Sequence, residues 1–309
     1  DQENCIKFSD LLDRVAKVNP LLRIRFSTSN PQDMGIDVID VMAKHNNICN
    51  YIHLPVQSGS SRLLEVMKRG YDRAKYITLI DNIKQRIPDC TISMDMISGF
   101  CTETETDNQL SETVMDYVEY SFGYMYKYSV RPNTPAARLK DDVSPSEKQK
   151  RLAEIIEKQQ EHSLKNMQTK VGNTYEVLIE GFSKKSDNHL YGRTEHNSAV
   201  IFEKGEHKLG DYVMVKIEDC TSATLKGKVI YSGNELPAWG NLILIKHANG
   251  WTTAYAHLDK ILVKVGDRVN TGNIIGSVGA TGNVSKHQLH FQVRKNSKPV
   301  NPKNYLKKK

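Results

Sequence analysis

The run Cys49-Asn50-Tyr51-Ile52-His53 reads as a short strand. It breaks at Leu54-Pro55-Val56-Gln57-Ser58-Gly59-Ser60 and passes straight into a helical pattern near Arg62. A strand that ends in small polar residues at a helix start is how a parallel α/β barrel builds its ligand-facing rim. The free backbone N–H groups of such a turn favour an anionic group of a ligand. Taken alone the turn is a weak signal, because Ser and Gly are common in strand-to-helix connections.

The surrounding sequence repeats the same alternation. Leu11–Val18, Val38–Lys44, Arg62–Lys68, Lys75–Arg86 and Glu105–Tyr120 carry helical period, while Leu22–Phe26, Tyr51–Leu54, Thr91–Ile97 and Tyr124–Ser129 read as strands. Strands separated by helices imply a parallel sheet. Four strands are too few to close a barrel, so an unpaired edge is expected at Leu22–Phe26. Ser144, Pro145 and Glu147 open a long helix to about Thr169 with a capping-box pattern, and Leu152, Ile155, Ile156 and Leu164 supply its apolar positions. Residues 170–229 change to short strands with Gly and Asn turns, the pattern of a small antiparallel barrel. Residues 230–309 continue as alternating strands with Gly turns, an all-β pattern.

Charge is uneven. The chain of 309 residues has a net charge of +7, yet from Lys226 onward fourteen Lys and Arg face three Asp and Glu. A solvated basic surface ending in Lys307-Lys308-Lys309 is the simplest reading, and contact with a polyanion is the alternative. The cysteines Cys5, Cys49, Cys90, Cys101 and Cys220 are scattered, which suits a reducing, cytoplasmic setting and small buried hydrophobes better than a disulfide framework. No apolar run reaches membrane-spanning length, and the polar start Asp1-Gln2-Glu3-Asn4 gives no sign of a signal peptide.

Three further segments join the first turn in order: Ser93-Met94-Asp95-Met96-Ile97-Ser98-Gly99-Phe100, then Glu103, then Tyr128-Ser129-Val130-Arg131-Pro132-Asn133-Thr134-Pro135-Ala136. With Arg23-Ile24-Arg25-Phe26-Ser27-Thr28-Ser29-Asn30-Pro31, they resemble the radical-SAM tRNA methylthiotransferases of the MiaB type over residues 6–229. The resemblance implies a partial radical-SAM (β/α) barrel at 1–143, a connecting helix at 144–169 and an OB-like TRAM barrel at 170–229. It implies S-adenosyl-L-methionine and a [4Fe–4S] cluster as cofactors and tRNA as partner. Gln57, Ser58, Ser60, Asp95, Ser98, Gly99, Glu103, Arg131 and Thr134 become the expected cofactor-binding residues, and Lys184, Lys185, Arg193 and Lys216 the expected phosphate contacts. After Gly99-Phe100 this chain reads Cys101-Thr102-Glu103-Thr104 where the family has Pro-Gly-Glu-Thr, which changes the local turn.

A second resemblance begins near Lys226. Gly240–His247, Thr253-Ala254-Tyr255-Ala256-His257-Leu258, Val265–Val269, Gly279-Ala280-Thr281-Gly282, Gln288-Leu289-His290-Phe291-Gln292 and Pro299-Val300-Asn301-Pro302 are similar to the later part of LytM/NlpD-like zinc-endopeptidase-type domains. There, zinc is held by an early His and Asp together with the second His of His-x-His. Here that motif reads Gln288-Leu289-His290, so His290 is a lone remnant ligand, His257 matches a degenerate catalytic position, His287 is solvent-facing, and zinc binding is not expected.

No Cys-x-x-x-Cys-x-x-Cys occurs, so the resemblance implies that the cluster domains lie upstream of this sequence or on a separate chain. Three readings stay open: a tRNA methylthiotransferase fragment that is inactive alone, a non-catalytic RNA-binding module, and an NlpD-like cell-wall peptidoglycan-binding protein without catalysis.

Overall fold

The computed structural model describes residues 6–19, 21–27, 30–232, 239–247, 251–263, 267–282, 284–295 and 298–305. Cys5, Thr28, Ser29, Val265-Gly266 and the lysine tail lie outside them.

Strands β1 (Tyr51–His53), β2 (Thr91–Ser98) and β3 (Phe122–Lys127) form a parallel sheet in that order, with Ile52 opposite Ile92, Met94 opposite Gly123 and Met96 opposite Met125. Because side chains alternate along a strand, these residues share one face. They face helices α1 (Phe8–Val18), α2 (Ile36–Lys44), α4 (Arg73–Arg86), α5 (Glu105–Val118) and α6 (Pro145–Gln168), where Ile39, Ile52, Leu64, Ile80, Met94 and Ile155 are buried together. The opposite face carries Tyr51 and His53, Ser93 and Asp95, then Phe122, Tyr124 and Tyr126.

The segment expected as a first strand, Leu22–Phe26, makes a single parallel bridge, Ile24 to Ile48. Side-chain contacts join the segment to the barrel. Arg23 donates to Glu176 Oε2 at 2.9 Å and to the Arg193 carbonyl at 2.8 Å, Arg25 donates to Glu180 at 2.6 Å, and the Tyr212 hydroxyl donates to the Leu21 carbonyl at 3.2 Å. Among the described residues no strand pairs with the outer edge of this segment, and these side chains hold it against the barrel.

Two buried tyrosines inside the sheet layer are paired. Tyr120 donates to the Tyr76 hydroxyl at 2.8 Å, and Tyr76 donates to the Leu54 carbonyl at 3.0 Å, with both rings fully buried. Burial raises the Tyr76 and Tyr120 hydroxyls above the usual phenol range, so both stay protonated. Tyr76→Phe strands a buried donor and a buried carbonyl, and should cost about 1–3 kcal/mol. Tyr120→Phe removes a donor while leaving the Tyr76 bond to Leu54 intact, and should cost about 1 kcal/mol or less. Urea denaturation of the two variants checks the asymmetry.

Helix α6 lies against β2 and β3. Its buried face is Lys148, Arg151, Ile155, Gln159, Ser163 and Met167; of the expected apolar positions, Ile155 is buried and Leu164 is exposed. Ser144 caps the helix, but the Glu147 side chain accepts from Arg151 and does not close a box; the reciprocal capping box forms at Thr104 and Asp107 on α5.

Residues 174–232 form a closed barrel in the order β4 (Thr174–Ser183), β5 (Ser186–Arg193), β6 (Ala199–Glu203), β8 (Leu225–Ser232) and β7 (Tyr212–Cys220), with β6 and β8 parallel and every other pair antiparallel. The last sheet centres on β10 (Trp251–Ile261), which pairs antiparallel with β9 (Asn241–Lys246), β11 (Gly276–Val278) and β12 (His290–Lys295); β13 (Lys298–Val300) follows on β12. Among the described residues, no helix is long and apolar enough to cross a membrane.

Candidate functional site

A cavity of about 660 Å³ opens at the C-terminal ends of β2 and β3, a size that suits a nucleoside-like ligand. Gln57, Asp95, Arg131 and Thr134 line it together, drawn from the turn after β1, from β2 and from the loop after β3. Gln57 is held in the left-handed region at φ 64° by two backbone bonds, its N–H to the Asp95 carbonyl and the Ile97 N–H to its own carbonyl. That conformation is uncommon for a residue other than Gly, Asn or Asp, and is sustained where surrounding structure enforces it. The Gln57 side-chain amide makes no hydrogen bond among the described residues.

Asp95 Oδ1 is buried and has no hydrogen-bond partner; His53 Nε2 lies 3.3 Å away, too poorly aligned to serve. Behind it, His53 Nδ1 is 2.8 Å from Ser93 Oγ, which is 2.7 Å from the Tyr51 hydroxyl. Sequence reasoning missed this row. The signal for it was the period-2 placement of Tyr51 and His53 beside Ser93 and Asp95 on one sheet face.

The other expected cofactor residues sit behind the cavity wall. Ser60 caps α3 (Ser61–Val66) and donates to Asp107 at 2.5 Å. Ser58 lies 3.4 Å from the Ser111 hydroxyl and accepts the Ser60 N–H at 3.2 Å. Gly59 is required here, because a Cβ would come within 2.3 Å of the Leu110 carbonyl oxygen. Burial pushes the Asp107 carboxyl up, but Arg62, Ser60 and Thr104 more than offset this and hold it below the usual range. Ser98 is buried, and the Gly99 N–H donates to Glu103 at 2.6 Å. Arg151 donates to Glu103 Oε2 at 3.0 Å; burial still raises the Glu103 carboxyl.

On the barrel, Lys184 and Lys185 are exposed in the β4–β5 turn, while Lys216 is exposed opposite Thr174 at the far end of β4, about 30 Å of strand away. Arg193 is engaged within the protein, by the Asn197 carbonyl at 3.1 Å and Glu180 at 3.3 Å. The four do not form one patch.

In the last sheet, His257 is buried at φ 61° where the β10 register shifts. Its Nδ1 lies 3.0 Å from the Thr281 carbonyl, which can only accept, so Nδ1 carries the hydrogen. The His290 ring is 6.1 Å from that of His257 and 4.7 Å from that of Trp239, and is exposed, as are His287 and Gln288.

The site fits some of the implied groups and not others. The unpartnered Asp95 oxygen and Gln57 amide, between apolar walls at Val66, Met67, Ile97 and Phe100, fit S-adenosyl-L-methionine. Cys49, Cys90, Cys101 and Cys220 do not fit an iron–sulfur cluster, and His257 with His290 does not fit zinc: no three metal-ligating side chains come together among the described residues.

Residues 5–114 match the radical SAM superfamily, residues 168–230 the TRAM domain and residues 207–302 peptidase family M23. Over 224 residues the chain is 56% identical to the tRNA-2-methylthio-N(6)-dimethylallyladenosine synthase of Christiangramia forsetii, covering 72% of this chain and 47% of that one. Over 231 residues it is 50% identical to the enzyme of the same name from Chloroherpeton thalassium, covering 74% and 51%. The chain thus spans about half the length of the curated relatives it matches. It is also similar to the catalytic domain of the prophage-encoded M23 protein EnpA from Enterococcus faecalis, at 36% identity over 22% of this chain and 54% of that one, with a TM-score of 0.21. The TRAM and M23 matches overlap at 207–230, and the structure places β7 and β8 in the closed barrel.

Proposed function

From a chain that joins radical SAM, TRAM and peptidase family M23 sequence, we propose that residues 1–229 serve tRNA modification as the cofactor-holding and RNA-holding portion of a methylthiolation system. The observation that carries this reading is the convergence of Gln57, Asp95, Arg131 and Thr134 on one cavity at the C-terminal ends of parallel strands, where such sheets bind ligands. Gln57 would hold the cofactor by its side-chain amide, Asp95 would accept from its hydroxyl or amino groups, and Arg131 and Thr134 would close the far wall. Bound S-adenosyl-L-methionine would supply radical chemistry. The cluster thiolates are supplied from outside these 309 residues, and Lys184, Lys185 and Lys216 make separate rather than joint phosphate contacts. The M23-like sheet does not cleave peptide.

Isothermal titration of the full chain with S-adenosyl-L-methionine tests the cofactor site. Asp95→Asn should weaken binding about tenfold, the loss of one charge-assisted hydrogen bond. Equal affinity in the variant, or saturable zinc binding that vanishes in His290→Ala, would count against the reading.

A further inference from the structure

Asp95 ends a row of polar side chains whose other members lie outside the cavity. Tyr51 and His53 on β1 stand beside Ser93 and Asp95 on β2, with His53 opposite Ser93 by register. The Tyr51 hydroxyl is 2.7 Å from Ser93 Oγ, and Ser93 Oγ is 2.8 Å from His53 Nδ1. His53 Nε2 is 3.3 Å from Asp95 Oδ1. The His53 side chain is 11% exposed and its ring stands edge to face against Tyr124 at 6.1 Å, so it has little room to turn.

The chemistry of each group orders the hydrogens along this row. A serine hydroxyl has one hydrogen to donate and can also accept, and a carboxylate only accepts. With its hydrogen on Nδ1, a neutral His53 would turn the Nε2 lone pair toward the Asp95 oxygen, two acceptors 3.3 Å apart. With the hydrogen on Nε2, the row runs in one direction: Tyr51 donates to Ser93, Ser93 donates to Nδ1, and Nε2–H faces Asp95. Asp95 Oδ1, buried and without a hydrogen-bond partner, is the one acceptor left to receive it. The bond made by one ring nitrogen thus decides what the other carries. The last link is long and misaligned, the ordinary condition of such bonds before a ligand is seated.

We propose that His53 is a positioning residue. As the Nε2–H tautomer set by Tyr51 and Ser93, it closes on Asp95 Oδ1 when the cofactor binds and holds the carboxylate in the orientation that accepts from the ligand. The proposal rests on the cofactor reading of the cavity and adds three residues that touch no ligand. A carboxylate offers about four acceptor positions, so Asp95 has room for the imidazole and the ligand together. Hydrogen bonds to an ionised group are among the stronger ones, and members of a chain of them polarise one another.

Two measurements on the full chain test this. Nitrogen-15 NMR of the His53 ring at alkaline pH reads the tautomer in the parent without added ligand. The Nε2–H form is expected, and the Nδ1–H form would overturn the relay while leaving the cofactor reading untouched. Titration calorimetry with S-adenosyl-L-methionine reads the consequence. His53→Asn places its amide nitrogen near the Nδ1 position, short of Asp95, and should weaken binding about tenfold. His53→Gln reaches the Nε2 position and should stay within about threefold of the parent. Tyr51→Phe should shift His53 toward Nδ1–H, because Ser93 is then free to accept from it, and should weaken binding about threefold. Equal losses in the Asn and Gln variants, or parent-like affinity in His53→Asn, would overturn the proposal alone. A parent chain with no saturable binding would overturn the cofactor reading with it. Should His53→Asn fail to fold, the tautomers of the parent and of Tyr51→Phe decide.

Discussion

Arg151→Met should destabilise the chain by about 3–5 kcal/mol at neutral pH, the cost of leaving a buried charge without its partner. Arg151 donates to both the carbonyl and the carboxylate of Glu103, at 2.9 and 3.0 Å, and also to Glu147 at 3.0 Å. Its side chain is 7% exposed and that of Glu103 is 2% exposed, so water cannot replace either. In the variant, Glu103 keeps the Gly99 N–H and loses its counter-charge. Adding Glu103→Gln should restore much of the stability, because a neutral amide oxygen still accepts from Gly99. The effect has a pH signature. Burial raises the folded-state carboxyl above its ordinary value of 4.5, and losing Arg151 raises it further. A raised carboxyl costs stability above its folded pKa, and the cost is relieved as pH falls through it. The gap between variant and parent should therefore narrow from neutral pH toward about 4.5. Denaturation at several pH values measures it, and a gap that widens on acidification would refute the assignment.

Arg23→Met should loosen the barrel from the sheet layer. Arg23 is 7% exposed, bonds Glu176 and the Arg193 carbonyl, and stacks 5.0 Å over the Tyr212 ring. Burial raises the Glu176 carboxyl and Arg23 pulls it back, so removing Arg23 leaves a partly buried acid alone. We expect a cost of about 2 kcal/mol at this contact, discounted for the partial exposure of Glu176, or roughly 30-fold in the undocked population. Limited proteolysis in the connection at residues 169–173 should accelerate accordingly, and Glu176→Leu in the same chain should slow it again. Unchanged cleavage would show that other contacts, such as the Thr91 hydroxyl donating to the His196 carbonyl at 2.9 Å, hold the units together.

Much of the fold was legible because burial on one side imposes a period. The alternation in Thr91–Ser98 and in the barrel strands marks which residues face inward, and Ser60, Thr104 and Ser144 mark helix starts because their side chains satisfy free N–H groups. The convergence of Gln57, Asp95, Arg131 and Thr134 was legible only through a family likeness. Nothing in their spacing separates them from Ser58, Ser60 and Glu103, which the fold turns into braces behind the wall.

By itself the sequence determined the order of the units, the parallel alternation of strand and helix, the first four strands of the barrel and the scatter of the cysteines. Those are local or periodic properties, set by side chains against their own backbone. Tertiary structure alone decided that Arg23 and Arg25 anchor Leu22–Phe26 to the barrel. It also decided that α6 buries Lys148, Arg151, Gln159 and Ser163 while Leu164 faces out, and that β8 completes the barrel. A buried polar or charged side chain is stable only with a partner of matching chemistry, and several of those partners, such as Glu103 for Arg151 and Glu176 for Arg23, lie tens to more than a hundred residues away in the chain.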